Sequence, residues 1–125
     1  MKIITKTKNL ELTDRLTGFV EEKFYGLKKF IDVLKEDEDV LPTLAEVFVE
    51  AEKETKHHQK GKIFIVKANV RLPGKSLIAE ARSDDLYKAI IEAKEELKME
   101  IEKYKLKNID KNRRQKRKIK KEIDL

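Results

Sequence analysis

The sequence predicts an α+β domain of element order β-α-β-β-β-α, with two helices packed on one face of a four-stranded sheet. Apolar residues recur at spacings of three and four over 16–31 and again over 86–104, the mark of helices that bury one stripe. Between them, three segments from 45 to 81 alternate apolar and polar residues, as strands with one buried face do. Turn residues at Pro42, Gly61 and Pro73-Gly74 separate these segments.

In chain order, KIITKTK (2–8) reads as a short strand. Thr13 is a good N-cap, because its hydroxyl can accept one of the unpaired N–H groups of a helix start. Leu16, Phe19, Val20, Phe24, Leu27, Phe30 and Ile31 then make one stripe, with Gly18 and Gly26 inside the helix, each costing about 1 kcal/mol against alanine. KEDEDV (35–40) and Pro42 form the following loop. Ala45, Val47, Val49 and Ala51 alternate with Glu46, Phe48, Glu50 and Glu52 in a half-buried strand. TKHHQKG (55–61) is a polar turn. Phe64, Val66, Ala68, Val70 and Leu72 alternate with Lys67, Asn69 and Arg71, and Leu77, Ala79 and Ala81 mark a further strand. These three strands read as an antiparallel meander. Ser83 caps the last helix, Asp84 and Asp85 complement its positive end, and Leu86, Ile90, Ala93, Leu97, Ile101 and Tyr104 are its buried stripe. No internal repeat is present.

The charge is unevenly divided. The 125 residues carry a net charge of +6, yet 103–121 contain eleven basic residues against one acid, Asp110. Allowing for Glu122 and Asp124, residues 1–102 are close to neutral, at −2. A polycationic C-terminus needs a polyanion, and nucleic acid or an anionic membrane surface are the common choices. The boundaries expected are a folded domain over 1–107 and a basic, flexible tail over 108–125. The body is long enough to bury roughly 65% of its unfolded surface without a metal or disulfide. The absence of cysteine excludes disulfides and thiolate metal sites. No apolar run approaches a membrane span, and the basic stretch lacks an apolar face for lying on a bilayer. No signal-peptide core is visible, so a cytoplasmic location is expected.

Little in the chain supports catalysis, and no cofactor or metal is expected. His57 and His58 sit in a turn without a third ligand at a recognisable spacing, and read as solvated residues. Glu46, Glu50 and Glu52 read as the wet side of a strand. No serine or threonine lies in a nucleophile elbow, and Gly61 and Gly74 are single turn glycines without a phosphate-cradling pattern. The aromatics fall mostly at core positions, with Tyr25 and Phe48 alone free to meet a partner, which argues against base-stacking platforms.

The predicted architecture resembles double-stranded-RNA-binding domains, which read helix shape through phosphate and 2′-hydroxyl contacts. Local patterns go further. LELTDRLTGFVEEKFYGLKKF (10–30) ends on K-F-x-x-L-x-K-F. HHQKGKIFIVKANVRLPGKSLIAEARSDDLYKAI (57–90) contains L-P-G-K (72–75), A-E-A (79–81) and D-L-Y-x-A-I (85–90), and KYKLK (103–107) precedes the basic run. In order and spacing over about residues 2–118, these resemble the ribosome hibernation promoting factor and ribosome-associated inhibitor family, also called the sigma-54 modulation protein family, in its short form.

The resemblance implies a non-enzymatic inhibitor. Such proteins bind the small ribosomal subunit in the decoding channel, blocking mRNA and tRNA under stress or in stationary phase. The implied partners are the small subunit and its rRNA, with no small-molecule substrate and no membrane, and the protein is expected to be a monomer off the ribosome. The rRNA-binding residues expected are Lys23, Lys28, Lys29, Arg71, Lys75, Arg82, Lys94, Lys98, Lys103, Lys105 and Lys107, followed in the tail by Lys111, Arg113, Arg114, Lys116, Arg117 and Lys118. Where relatives commonly have basic residues this chain has Glu96 and Met99, a loss that Lys94 and Lys98 are placed to replace. The competing reading is an RNA-binding assembly factor or ribosomal component of similar fold.

Overall fold

The computed structural model describes residues 1–31, 46–54, 62–72 and 75–123, with side chains as far as Lys107. The expectations for the 35–40 loop, Pro42, Ala45, His57, His58, Gly61 and the Pro73-Gly74 turn lie outside the described residues. Six elements follow in the order expected: β1 (Lys2–Lys8), α1 (Asp14–Tyr25), β2 (Glu46–Lys53), β3 (Phe64–Leu72), β4 (Lys75–Ser83) and α2 (Leu86–Ile123).

The strands form one four-stranded sheet of order β1-β2-β3-β4. The meander of β2, β3 and β4 is antiparallel, with Val49 opposite Ala68 and Ala68 opposite Ala79. β1 adds to it in parallel, Ile4 pairing with Phe48, so the chain between them must cross over one face. α1 lies in that crossover. At the exit of β1, Asn9 takes a left-handed backbone (φ 59°), which a short polar side chain tolerates, and its amide donates to the Lys53 carbonyl at 3.5 Å. At the turn end of the β2–β3 hairpin the Glu54 N–H donates to the Ile63 carbonyl at 2.8 Å.

The core lies between the sheet and the helices. Val47, Val49, Ala51, Val66, Ala68, Val70, Leu77, Ala79 and Ala81 supply the sheet side. Leu16, Val20 and Phe24 of α1, then Ala89, Ile90, Ala93, Leu97 and Ile101 of α2, close it from above, and none of these residues is more than 7% exposed. Each large side chain buried here contributes about 2–3 kcal/mol through area removed from water. Phe19, Phe30, Leu72, Leu86 and Tyr104 pack on the rim, half-buried.

Thr13 caps α1 as its position predicts, its Oγ1 accepting the Leu16 N–H at 3.1 Å. Two other local expectations are corrected. Gly26 is not inside the helix but is its C-cap, and Leu27 bonds back to the Phe24 carbonyl (3.0 Å) three residues earlier, a tightened turn before helical backbone resumes over 28–31. At α2 the cap is Asp85, whose Oδ1 accepts from the Tyr87 N–H at 2.9 Å and the Lys88 N–H at 3.4 Å. A carboxylate is the stronger acceptor there and also complements the helix dipole. The Ser83 hydroxyl instead holds the Asp85 N–H, at 3.2 Å. With neither glycine nor proline after Leu86, α2 runs for 38 residues, about 57 Å, past the Lys107 boundary expected for the domain.

Candidate nucleic-acid interface

Periodicity places the cations of α1 beside its aromatics. Arg15, Phe19 and Lys23 are four residues apart, hence on one flank. Across the helix pair, the Phe19 ring meets Tyr87 of α2 edge to face, with centroids 4.7 Å apart and planes at 88°. Arg15 lies 5.5 Å from the Tyr87 centroid and Lys23 lies 5.5 Å from that of Phe19. Further along, Lys28 is 5.8 Å from Tyr25, and Lys29 and Lys98 converge on Phe30, each 5.1 Å from its centroid. Apart from Lys28 on the exposed Tyr25, the outcome is a ladder of cations seated on rings along the junction of α1 and α2. A ring supports an ammonium or guanidinium group by about 0.5–1 kcal/mol at exposed sites and leaves its outer side to water or to an anion. Such a surface presents ordered positive charge that an anion can meet.

The remaining expected residues divide by position. Lys94, four residues before Lys98, shares its flank but hydrogen-bonds Glu95 at 3.0 Å. That bond, with the charges of Lys94 and Lys98, holds the Glu95 carboxyl below its ordinary value. Lys103 sits 3.5 Å from Glu100, and Lys75 lies 4.8 Å from the Tyr104 ring. Lys105 is half-buried and Lys107 exposed, while the side chains of Lys111, Arg113, Arg114, Lys116, Arg117 and Lys118 lie outside the described residues, on helical backbone. Arg71 and Arg82 are not part of the ladder. They alternate with the buried Val70 and Ala81, so they project from the opposite face of the sheet. There Arg71 lies 4.8 Å from the Phe48 ring and Arg82 lies 3.7 Å from Glu80.

Two details bear on the charge lost at Glu96 and Met99. Glu96 is two residues from both Lys94 and Lys98, so it stands on the far flank of α2 and does not oppose the ladder directly. Met99 is 49% exposed and adds only apolar surface. Arg15 is the member of the ladder not foreseen, although its four-residue step to Phe19 was legible. Among the described residues, no helix is long and apolar enough to cross a membrane.

Comparison with known proteins agrees with this architecture. The chain is 27% identical over 110 residues to a ribosome hibernation promoting factor of Acinetobacter guillouiae, covering 88% of this chain and 92% of that one. Its fold is similar to the N-terminal domain of Thermus thermophilus Protein Y, with a TM-score of 0.63, 25% identity, and coverage of 83% of this chain and 99% of that one. It is also similar in fold to a ribosomal subunit interface protein from Coxiella burnetii, with a TM-score of 0.62, 23% identity, and coverage of 85% and 99%. The family model described as sigma 54 modulation protein / S30EA ribosomal protein matches residues 3–109, and with the fold above it shows that the chain belongs to that family.

Proposed function

We propose that this protein is a ribosome hibernation factor that binds the small ribosomal subunit in its decoding channel and excludes mRNA and tRNA. The observation that carries the reading is the ladder along α1 and α2, in which Arg15, Lys23, Lys29 and Lys98 are held on aromatic rings. It supports this reading because rRNA presents phosphates at close spacing, and cations already ordered on rings lose little side-chain freedom when they meet them. Family membership and the hibernation promoting factor among its relatives support the ribosome as the source of those phosphates. Inhibition then requires occupancy alone. A rigid body in the channel competes with mRNA and with tRNA anticodon ends by volume, and no bond is made or broken. The α2 extension, with its basic sequence, adds phosphate contacts beyond the folded body.

The test is cell-free translation with ribosomes titrated by the purified protein, together with chemical footprinting of the small-subunit rRNA. The expected result is inhibition approaching completion near one protein per ribosome, with protections in the decoding channel. Binding to the subunit without inhibition at excess protein would refute the hibernation reading in favour of an assembly factor or ribosomal component.

A further inference from the structure

The sheet face turned away from the helices carries an ordered pattern that the ladder does not use. Register brings its side chains into rows across the four strands. One row is apolar at both ends, Ile4, Phe48, Asn69 and Ile78, and Ile78 is 63% exposed. The next row reads Lys6, Glu50, Lys67, Glu80, alternating in sign at every strand. On the other side of the apolar row lie Lys2, Glu46, Arg71 and Ser76. The apolar row, with Lys6, Glu50 and Lys67 of the next, borders a shallow hollow of about 320 Å³ floored by Val49 and Ala68.

Cross-strand neighbours of opposite sign can stabilise a sheet by themselves. That accounts poorly for this face, because among the described residues Lys6, Glu50 and Lys67 form no ion pair within 4.0 Å. The order of signs suggests another use. A second copy, turned by a two-fold axis parallel to the strands and laid face to face, sets β1 over the partner's β4 and β2 over the partner's β3. Plus, minus, plus, minus then meets its own reverse, so every charge in the Lys6 row opposes its complement. Lys6 faces the partner's Glu80, Glu50 faces the partner's Lys67, and Glu46 faces the partner's Arg71, while Ile4 covers the partner's Ile78. A two-fold axis perpendicular to the strands would instead bring lysine over lysine and glutamate over glutamate. Lys8 opposite the partner's Arg82 is the single like-charge pair, at the rim, where Glu52 (3.8 Å) and Glu80 (3.7 Å) already offset these charges.

We infer that this open sheet face is a self-complementary surface through which two copies of the chain pair face to face, in place of the monomer expected from the sequence. The acidic column on β2 makes the face a poor site for nucleic acid or an anionic membrane, which leaves a protein of matching pattern, and the chain itself has that pattern. Aligned sheets pack about 10 Å apart with strands about 30° from parallel, a misfit that long lysine and glutamate side chains span. Four strands about 4.8 Å apart over about 20 Å of length give roughly 400 Å² per copy, about half the roughly 800 Å² of a standard interface. The dimer is therefore a weak one that forms as concentration rises. The helix ladder stays outside it, so pairing and phosphate binding are independent properties.

Sedimentation velocity from about 10 μM to about 1 mM reads the association directly. Wild-type protein is expected to shift from monomer to dimer across that range. Glu50→Lys alone and Lys67→Glu alone should each remain monomeric at about 1 mM, since each sets like charges against each other across the axis. An equimolar mixture of the two should pair again, because Lys at 50 in one copy then meets Glu at 67 in the other. Ile78→Lys should also be monomeric, with unchanged melting temperature. A wild-type protein monomeric throughout, single reversals that still dimerise, or folded variants whose mixture fails to pair would each overturn the proposal. Translation inhibition by Ile78→Lys separates this test from that of the hibernation reading, since it should match the wild type.

Discussion

Removing the two lysines that share the Phe30 ring tests the ladder where it is densest. In Lys29→Ala/Lys98→Ala the ring stays in place on the core rim, and both ammonium groups that lie 5.1 Å from its centroid are lost. Each ammonium that meets a phosphate at about 4 Å in a water-like medium contributes about 1 kcal/mol, so losing both costs about 2 kcal/mol, or about thirtyfold in affinity. The same loss should flatten the dependence of log K on log salt by about 1.4–1.8, because two fewer phosphates release their counterions. Fluorescence anisotropy of labelled protein against purified small subunits, at several salt concentrations, measures both. The charge-matched control is Lys6→Ala/Lys67→Ala on the opposite sheet face, expected to bind as the wild type does. Equal losses for the two double variants would show that only net charge matters. An unchanged salt slope for Lys29→Ala/Lys98→Ala would show that these cations meet no phosphate, and either result refutes the ladder as the interface.

Four further outcomes follow from the same structure. Asp85→Ala should cost about 1 kcal/mol of stability in a urea melt and Ser83→Ala clearly less, because Asp85 accepts the two N–H groups at the start of α2. Gly18→Ala should stabilise by up to about 1 kcal/mol, since an added methyl meets nothing within 4 Å on that exposed helical turn. Glu95→Gln frees Lys94 and should tighten small-subunit binding by about twofold to fivefold. Because Glu95 has a lowered folded-state pKa, its pairing with Lys94 supports the fold at neutral pH and fades as pH falls through that lowered value. The low-pH part of the stability profile should therefore lose a small component in Glu95→Gln. Truncation after Lys107 should reduce binding steeply and flatten its salt dependence, since most of the basic run follows that residue, and little loss would remove the α2 extension from the interface.

The fold was legible wherever one physical rule decided it. Alternation placed Val47, Val49, Ala51, Val66, Ala68 and Val70 in the core, and the spacing of three and four did the same for Leu16 through Ile31 and Ile90 through Ile101. The antiparallel meander was legible too, but the pairing of β1 was not. Nothing local to KIITKTK says that it lies parallel to β2, because that contact is made far along the chain and is selected by burial of the whole sheet. Caps fell between these cases. Ser83 and Asp85 are both good capping residues, and only the observed start of α2 at Leu86 decides between them. At the site, residue type identified the cations, but the side each one faces required the parity of its strand. That parity was present in the sequence: Arg71 follows Val70 and Arg82 follows Ala81, so both alternate with core residues and face away from the helices. Arg15 was missed because an arginine early in a helix carries no mark of its own until Tyr87, distant in sequence, is found beneath it.

The parallel pairing of β1 has a consequence for how the chain reaches its fold. Every β1–β2 contact joins residues about 44 positions apart, whereas β2, β3 and β4 meet through short hairpins. Loop closure makes distant pairings late and local ones early, so the meander forms before β1 docks. During synthesis β1 leaves the ribosome first and waits, unpaired, until β2 has followed. In that interval it is a short strand with lysines at 2, 6 and 8, which keep it soluble and discourage it from joining the β1 of another nascent chain. The acidic residues 46, 50 and 52 of β2 then supply the one edge whose charge matches. The seven residues of β1 are thus the last to be secured, and their lysines guard them while they wait.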